Sequence, residues 1–329
     1  MMPRAIEPVR YCRGIVGFSL LELLVSCVIF ALVLATILSV VNHTTQLWQQ
    51  SNSRVDAFQN ARRAFDVLTQ ALSQATLNTY LDYDDPNSPK RYLRRSELHF
   101  LIAPASEVLP TLSGVTGWSI FFQTPARRSA DSVARGLEGL INACGFFVQF
   151  GTNADWLPSH LDVATAKPRF RLMQWIQNTE SLQIYSQPSR EWIRLSDDIA
   201  PVADNIITLV FWPREGFENS PGMLPDALSY DSRAGSNNSP QPVTANQFPP
   251  LVEVLMVAID EASAGRLGEQ LQATIEECSA GLFLPSSSPG ESFEANLATL
   301  EAELTKRKIN YRVFRSSIPI REAKWSVDQ

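Results

Sequence analysis

Phe18 to Val41, FSLLELLVSCVIFALVLATILSVV, is an unbroken apolar run apart from Glu22 and a few small polar residues. As a helix rising about 1.5 Å per residue, a run of this length crosses the roughly 30 Å hydrocarbon core of a bilayer. Arg4, Arg10 and Arg13 precede it. Positive charge before a first span holds that flank in the cytoplasm, so the bulk of the chain is expected on the far side of the membrane. A secretory signal peptide begins in the same way, but its apolar region is shorter, carries no acid and ends at a small-residue cleavage site. Here the run is followed by NHTTQLWQQ instead. Glu22 is the anomaly. An ionised carboxylate inside hydrocarbon costs several kcal/mol, so an acid near the start of a span marks a functional position.

The string RGIVGFSLLELLVSCVIFALV, Arg13 to Val33, resembles the class III signal of type IV prepilins and type II secretion pseudopilins: a basic leader, a glycine, then Phe-Ser-Leu-Leu-Glu opening an apolar helix. Gly17, Phe18 and Glu22 stand where that motif puts them. The resemblance implies that a membrane-embedded prepilin peptidase cuts between Gly17 and Phe18 and methylates the new Phe18 amine, so the span stays in the mature chain. It further implies a single-pass inner-membrane subunit, N-terminus in the cytoplasm and C-terminal domain in the periplasm, whose partners are the peptidase, membrane lipid and other pseudopilins met through the N-terminal helix. Glycine before the cut lets an extended backbone approach a protease closely, having no side chain. A Glu22 carboxylate packed among like helices can neutralise the terminal ammonium of a neighbouring subunit, a pairing that fixes register more than it adds stability. The alternative is a plain signal anchor that carries one glutamate.

Beyond the span, Leu47, Val55, Phe58, Ala61, Phe65, Leu68, Leu72 and Ala75 recur at helical spacing as one stripe. No proline or glycine occurs from Phe18 to Asp85, so one helix to about Thr79 is expected, roughly 90 Å long. Ala57 to Ala75 is similar to the corresponding helix of J-type minor pseudopilins; an ordinary amphipathic helix accounts for the same residues. Strand-like runs follow at Leu98–Ile102, Trp118–Gln123, Gly145–Phe150, Phe170–Ile176, Ile206–Trp212, Leu251–Ile259 and Asn310–Phe314, rich in aromatic and β-branched residues and bounded by turn formers. With helical crossovers missing between most of them, antiparallel pairing is expected. The organisation read from the chain is a leader (1–17), an apolar helix (18–41), its amphipathic continuation (42–80) and a β-rich extracytoplasmic domain (81–329). The fold class is α+β, a pilin-like long N-terminal helix packed on an antiparallel sheet. Two insertions interrupt the sheet: Pro213 to Pro250, dense in Pro, Gly, Ser and Asn, reads as a long, partly mobile surface loop, and 291–308, with Phe293, Leu297, Leu300 and Leu304 on one face, reads as a helix. The closing stretch Asn310 to Ser326 resembles the end of the prepilin-like Verru_Chthon cassette protein C family, a likeness that implies no activity.

A net charge of −6 argues against nucleic-acid binding, which needs a basic surface. Four cysteines, at 12, 27, 144 and 278, have none of the short paired spacings of zinc sites. Only Cys144 and Cys278 lie where a disulfide in the soluble part is open to them. His43, His99 and His160 are not placed for metal ligation, and no Gly-x-Ser-x-Gly elbow, Walker loop, dinucleotide fingerprint or HExxH helix is present. Asp82, Asp84 and Asp85 form an acidic cluster that suits either calcium or, lacking the EF-hand glycine and distant glutamate, a solvated turn; the turn is favoured and no cofactor is expected. The expectation is therefore a non-catalytic minor assembly subunit, since bulky insertions would obstruct a closely packed shaft. Its rivals are a membrane-anchored surface module whose 213–250 loop and aromatics recognise a polymer or DNA, the latter disfavoured by the net acidity, and a membrane-anchored enzyme.

Overall fold

The computed structural model describes residues 19–126, 129, 140–154, 167–186, 190–193, 198–215, 224–238, 240–285 and 288–323, with Trp48 the one side chain described within 46–47 and 49–57 or between them. The chain divides into two compact units, Met1–Asn52 and Ser53–Gln329. Helix α1 (Leu20–Ser73) supplies the described part of the first unit and opens the second.

In the second unit, strands β1 (Tyr80–Tyr83), β2 (Tyr92–Arg95) and β3 (Leu101–Pro104) precede a single helical turn, α2 (Ala105–Val108). A meander follows in β4 (Val115–Thr124), β5 (Asn142–Gly151), β6 (Arg169–Gln177) and β7 (Asp198–Asp204), then β8 (Ile206–Arg214), β9 (Tyr230–Asp231) and β10 (Leu251–Ile259). Helices α3 (Glu261–Leu267), α4 (Leu271–Ser279) and α5 (Pro289–Lys306) lead to β11 (Tyr311–Pro319). The strands form a six-stranded sheet in the order β7-β6-β5-β4-β3-β9, a three-stranded sheet β11-β10-β8 and the hairpin β1-β2. Every described pairing is antiparallel. The chain is thus α+β, with a long N-terminal helix and antiparallel sheets.

The amphipathic stripe of α1 is the spine of this unit. Ala61, Ala64, Leu68 and Leu72 are buried, and the Phe65 ring meets Phe314 of β11 at 5.9 Å. Phe314 and Trp212 project from opposite faces of the three-stranded sheet, since Phe314 pairs with Met256 and Trp212 with Glu253. On that second face Trp212 stacks on Phe293 of α5 at 5.1 Å. Helices on both sides explain why β10, LVEVLMVAI, is nearly continuously apolar rather than alternating. Its one acid, Glu253, is buried and held by Arg214 of β8 at 2.8 Å and by Arg315 of β11. The carboxylate therefore ties all three strands.

Three features differ from the sequence expectation. The helix stops at Ser73 rather than near Thr79 because the sheet competes for its last carbonyls: Thr124 Oγ1 donates to Ala71 O and Gln74 O, and Thr76 N donates to Gln123 O at 2.8 Å. The described part of 213–250 is a loop only partly on the surface, since much of it is buried against the sheet. The buried Arg94 guanidinium donates to Ala245 O at 3.2 Å and Pro242 O at 2.9 Å, and Phe248 and Tyr230 pack edge-on against Phe100. Residues 216–223 and 239 of that segment lie outside the described residues. Between β10 and β11, α3 and α4 accompany the expected α5. Asn205, in the left-handed region at φ 63°, turns the chain from one sheet to the other in a single residue. Its N–H donates to Phe170 O at 2.6 Å and its carbonyl accepts from Ile259 N at 2.9 Å, and asparagine tolerates this backbone where branched residues do not.

Leu68→Ala, at a fully buried position of the spine, is expected to destabilise the protein by about 2–5 kcal/mol through lost burial and the cavity left behind; the midpoint of chemical denaturation checks this.

Candidate functional site: the unpartnered N-terminal helix

Leu20–Thr45 is an apolar helical segment of 26 residues with a mean hydropathy of 2.9, and none of its richest window is buried against the rest of the chain. Leu20 is 86% exposed and Phe30 66%. By length and composition it is the one described helix able to cross a membrane. Its start is set locally. Ser19 N donates to Glu22 Oε2 at 3.1 Å while Glu22 N donates to Ser19 Oγ at 3.2 Å, a reciprocal capping box that satisfies two of the otherwise orphaned amides. Glu22 is thus already at work within its own chain, where its negative charge also complements the helix N-terminus. Farther along, the hydroxyls of Ser26, Thr36, Thr44 and Thr45 each donate back to a carbonyl of the same helix at 2.7–2.8 Å. These polar groups need no partner in hydrocarbon. Trp48, 67% exposed, and the exposed His43 sit at the end of the segment, where amphipathic rings favour the membrane–water interface. Gly17 and Phe18 lie outside the described residues, as do Cys12, Trp156, His160 and Trp325.

The other residues singled out by sequence are not brought together as ligands. Asp84 organises the β1-β2 turn: its Oδ1 accepts from the amides of Asp85, Lys90 and Arg91 at 2.9–3.3 Å, and Arg91 pairs with it at 3.5 Å. The Lys90 amide in particular holds its carboxyl below the usual range. Asp82 and Asp85 each accept from nearby backbone amides, Tyr83 N and Asn87 N. Among the described residues no three His, Cys, Asp or Glu side chains converge as a metal-holding group. Cys144 and Cys278 are buried free thiols, so the disulfide open to them by elimination is not formed. They stand on different elements, β5 and α4, and burial pushes the Cys144 thiol up to about 12 and Cys278 in the same direction.

A buried polar network escaped the sequence reading. His99 Nδ1 accepts from Trp192 Nε1 at 3.0 Å, which leaves its Nε2–H to donate to Asp231 Oδ1 at 2.7 Å. Asp231 also accepts from Arg233 N at 3.0 Å and Arg190 Nη2 at 3.3 Å. Both ring nitrogens of His99 are occupied, so the pair offers no free base to a substrate in the neighbouring cavity of about 360 Å3, which Arg190, Tyr230 and Asp231 help to line. What the network does is dock the 190–192 turn. Room for it comes from Gly145, where a Cβ would collide with the Phe121 ring; Phe121 instead lies over the glycine and meets Trp175 edge-on, and Trp175 meets Trp192 at 5.7 Å. The only sequence signal was a polar residue in the apolar run LHFLI. Its partners lie about a hundred residues away.

Family models, curated proteins and solved structures yield no match to the chain.

Burial lowers the His99 pKa, outweighing the opposing pull of Asp231. Burial alone would raise Asp231, but the His99 and Arg233 hydrogen bonds and the Arg190 charge bring it to about 2. Both shifts act in one direction. The His99 contribution is complete above its unfolded pKa of about 6.5 and is lost as pH falls toward the depressed folded value, and Asp231 adds a second loss below about pH 4. Melting temperature in detergent micelles should therefore decline from pH 7 to 5, and His99→Gln should flatten that decline; an unchanged profile in the variant would remove His99 as its source.

Proposed function

We propose that this chain is a non-catalytic, prepilin-like subunit: cut by prepilin peptidase between Gly17 and Phe18, anchored through its N-terminal helix, and packed as a minor component into a type IV pilus-like filament or a type II secretion pseudopilus. The observation that carries the reading is the wholly exposed apolar segment Leu20–Thr45 with an acid one turn from its start. Lipid covers such a surface before assembly, and like helices cover it afterwards. The basic Arg4, Arg10 and Arg13 support an N-terminus in the cytoplasm, by the positive-inside rule, and with it a β-rich unit in the periplasm. A pilin-like fold is consistent with the second half of α1 packing on antiparallel strands.

In this assembly Glu22 leaves its contact with Ser19 N and takes the methylated Phe18 ammonium of a neighbour. That exchange trades a capping bond for a charge pair, and favours the packed filament because each buried charge then has a partner. A plain signal anchor would need no such acid.

Mass spectrometry of membrane-extracted protein should find a chain that begins with N-methylated Phe18. Glu22→Ala should insert normally but enter filaments poorly when scored by cross-linking to co-expressed pseudopilins. An uncleaved N-terminus, or assembly of the variant at the parental level, would overturn the corresponding half of the proposal.

A further inference from the structure

A groove of about 510 Å3 runs beside the end of β2, within the size range of small-ligand sites. Its walls are Arg95, Ser96 and Glu97 on one side and Tyr185 with Arg233 and Asn237 on the other. Most of the second wall comes from the 213–250 segment, folded back onto the sheet. The groove is braced: Arg233 Nη2 donates to Glu97 O at 2.6 Å and to Ile184 O at 3.4 Å, tying the backbones of both walls.

The lining has a particular chemistry. Glu97 is already engaged by the Tyr80 hydroxyl at 2.9 Å and by the Asn78 amide. Arg95 is not so occupied. Among the described residues its guanidinium makes one hydrogen bond, from Nη1 to Asn237 Oδ1 at 3.0 Å, and no ion pair, which leaves most of its five N–H donors for a ligand. Tyr185, 61% exposed, offers a ring face with no aromatic neighbour among the described residues. Tyr80, 44% exposed, stands at the rim through its bond to Glu97.

These groups select among ligand classes. The floor is polar, against an apolar small molecule. An extended peptide would add to a strand edge through its backbone, but the outer edge of β2 is closed: Gln241 Oε1 accepts from Arg94 N at 2.8 Å, and Gln241 Nε2 and Asn246 Nδ2 donate to Arg94 O at 3.0 and 2.7 Å. Side-chain donors, a forked cation with most of its N–H groups open and an exposed ring suit hydroxyls, a carboxylate and the C–H face of a sugar. We propose that this groove binds a carboxylate-bearing saccharide chain, with Arg95 on the carboxylate and Tyr185 stacked on the ring. The site stands on its own lining and does not depend on the assembly role.

The full chain in detergent micelles, titrated calorimetrically with oligogalacturonate, should show saturable binding, and Arg95→Gln and Tyr185→Ala should each raise Kd about tenfold or more. Arg95→Lys, which keeps the charge but not the fork, should recover only part of the loss. Equal melting temperatures of the variants and the parent separate lost binding from lost folding, as both side chains lie outside the core. No saturable binding, or binding untouched by both substitutions, would overturn the proposal. So would equal affinity for a neutral malto-oligosaccharide, or hexaglutamate binding that Arg95→Gln abolishes and Tyr185→Ala leaves intact, the mark of an acidic-peptide site.

Discussion

An apolar helical surface of 26 residues exposed along its length is unstable in water. That constraint governs the first unit of the protein. The hydroxyls of Ser26, Thr36, Thr44 and Thr45 are turned back onto carbonyls of the same helix, and Glu22 is bonded to the backbone where the first amides would otherwise lack partners, so these groups suit surroundings of hydrocarbon or another helix. The capping box gives the acid a use within its own chain, because a carboxylate bonded to the first amides of the helix recovers part of the cost of leaving water.

In the second unit the organising interaction is the burial of the α1 stripe against strands that arrive much later in sequence. Phe65 on Phe314 and Leu68 and Leu72 in the core join the helix to the sheets. Polar groups then decide the details that apolar contact leaves loose. Glu253 ties β8, β10 and β11 through two arginines, and Asn205 bends the chain from one sheet into the other. Such groups are costly when unpaired: Glu253 is held by both arginines, and Asn205 by its backbone bonds and by its Nδ2 donation to Glu261 at 2.8 Å. Edges are managed as well: Pro201 lies in the outermost strand β7, where a missing N–H discourages pairing with another chain.

Much of the framework was legible from residue pattern. The strand Leu251–Ile259 occurs where its β-branched run places it, β4, β5, β6 and β8 extend the expected runs by a few residues, and Phe293, Leu297, Leu300 and Leu304 form the buried face of α5. What was missed has identifiable causes. Strand β7, DIAPVAD, contains a proline and little bulk, β9 is two residues long, and in the β1-β2 hairpin β1 is exposed throughout while the buried residues of β2, Leu93 and Arg94, are adjacent, so no alternation marks it. The 213–250 segment has the composition of a solvated loop because, beside the few apolar anchors Leu228, Tyr230 and Phe248, many of its contacts are made by backbone carbonyls and amide side chains, which composition does not distinguish from solvent-facing ones.

The sequence by itself determined the membrane-compatible helix, the position of its acid and the α+β framework, because hydrophobic length and periodicity are local properties that a chain carries wherever it folds. Only the tertiary structure decided which polar residues meet. The His99–Asp231 pair, the closed edge of β2 and the open guanidinium of Arg95 each join or separate groups distant in the chain, and distance in space is fixed by strand order and register rather than by spacing in sequence. The helix long and apolar enough to cross a membrane was therefore readable in the chain itself, whereas the groove beside β2 became visible once the strands were in place.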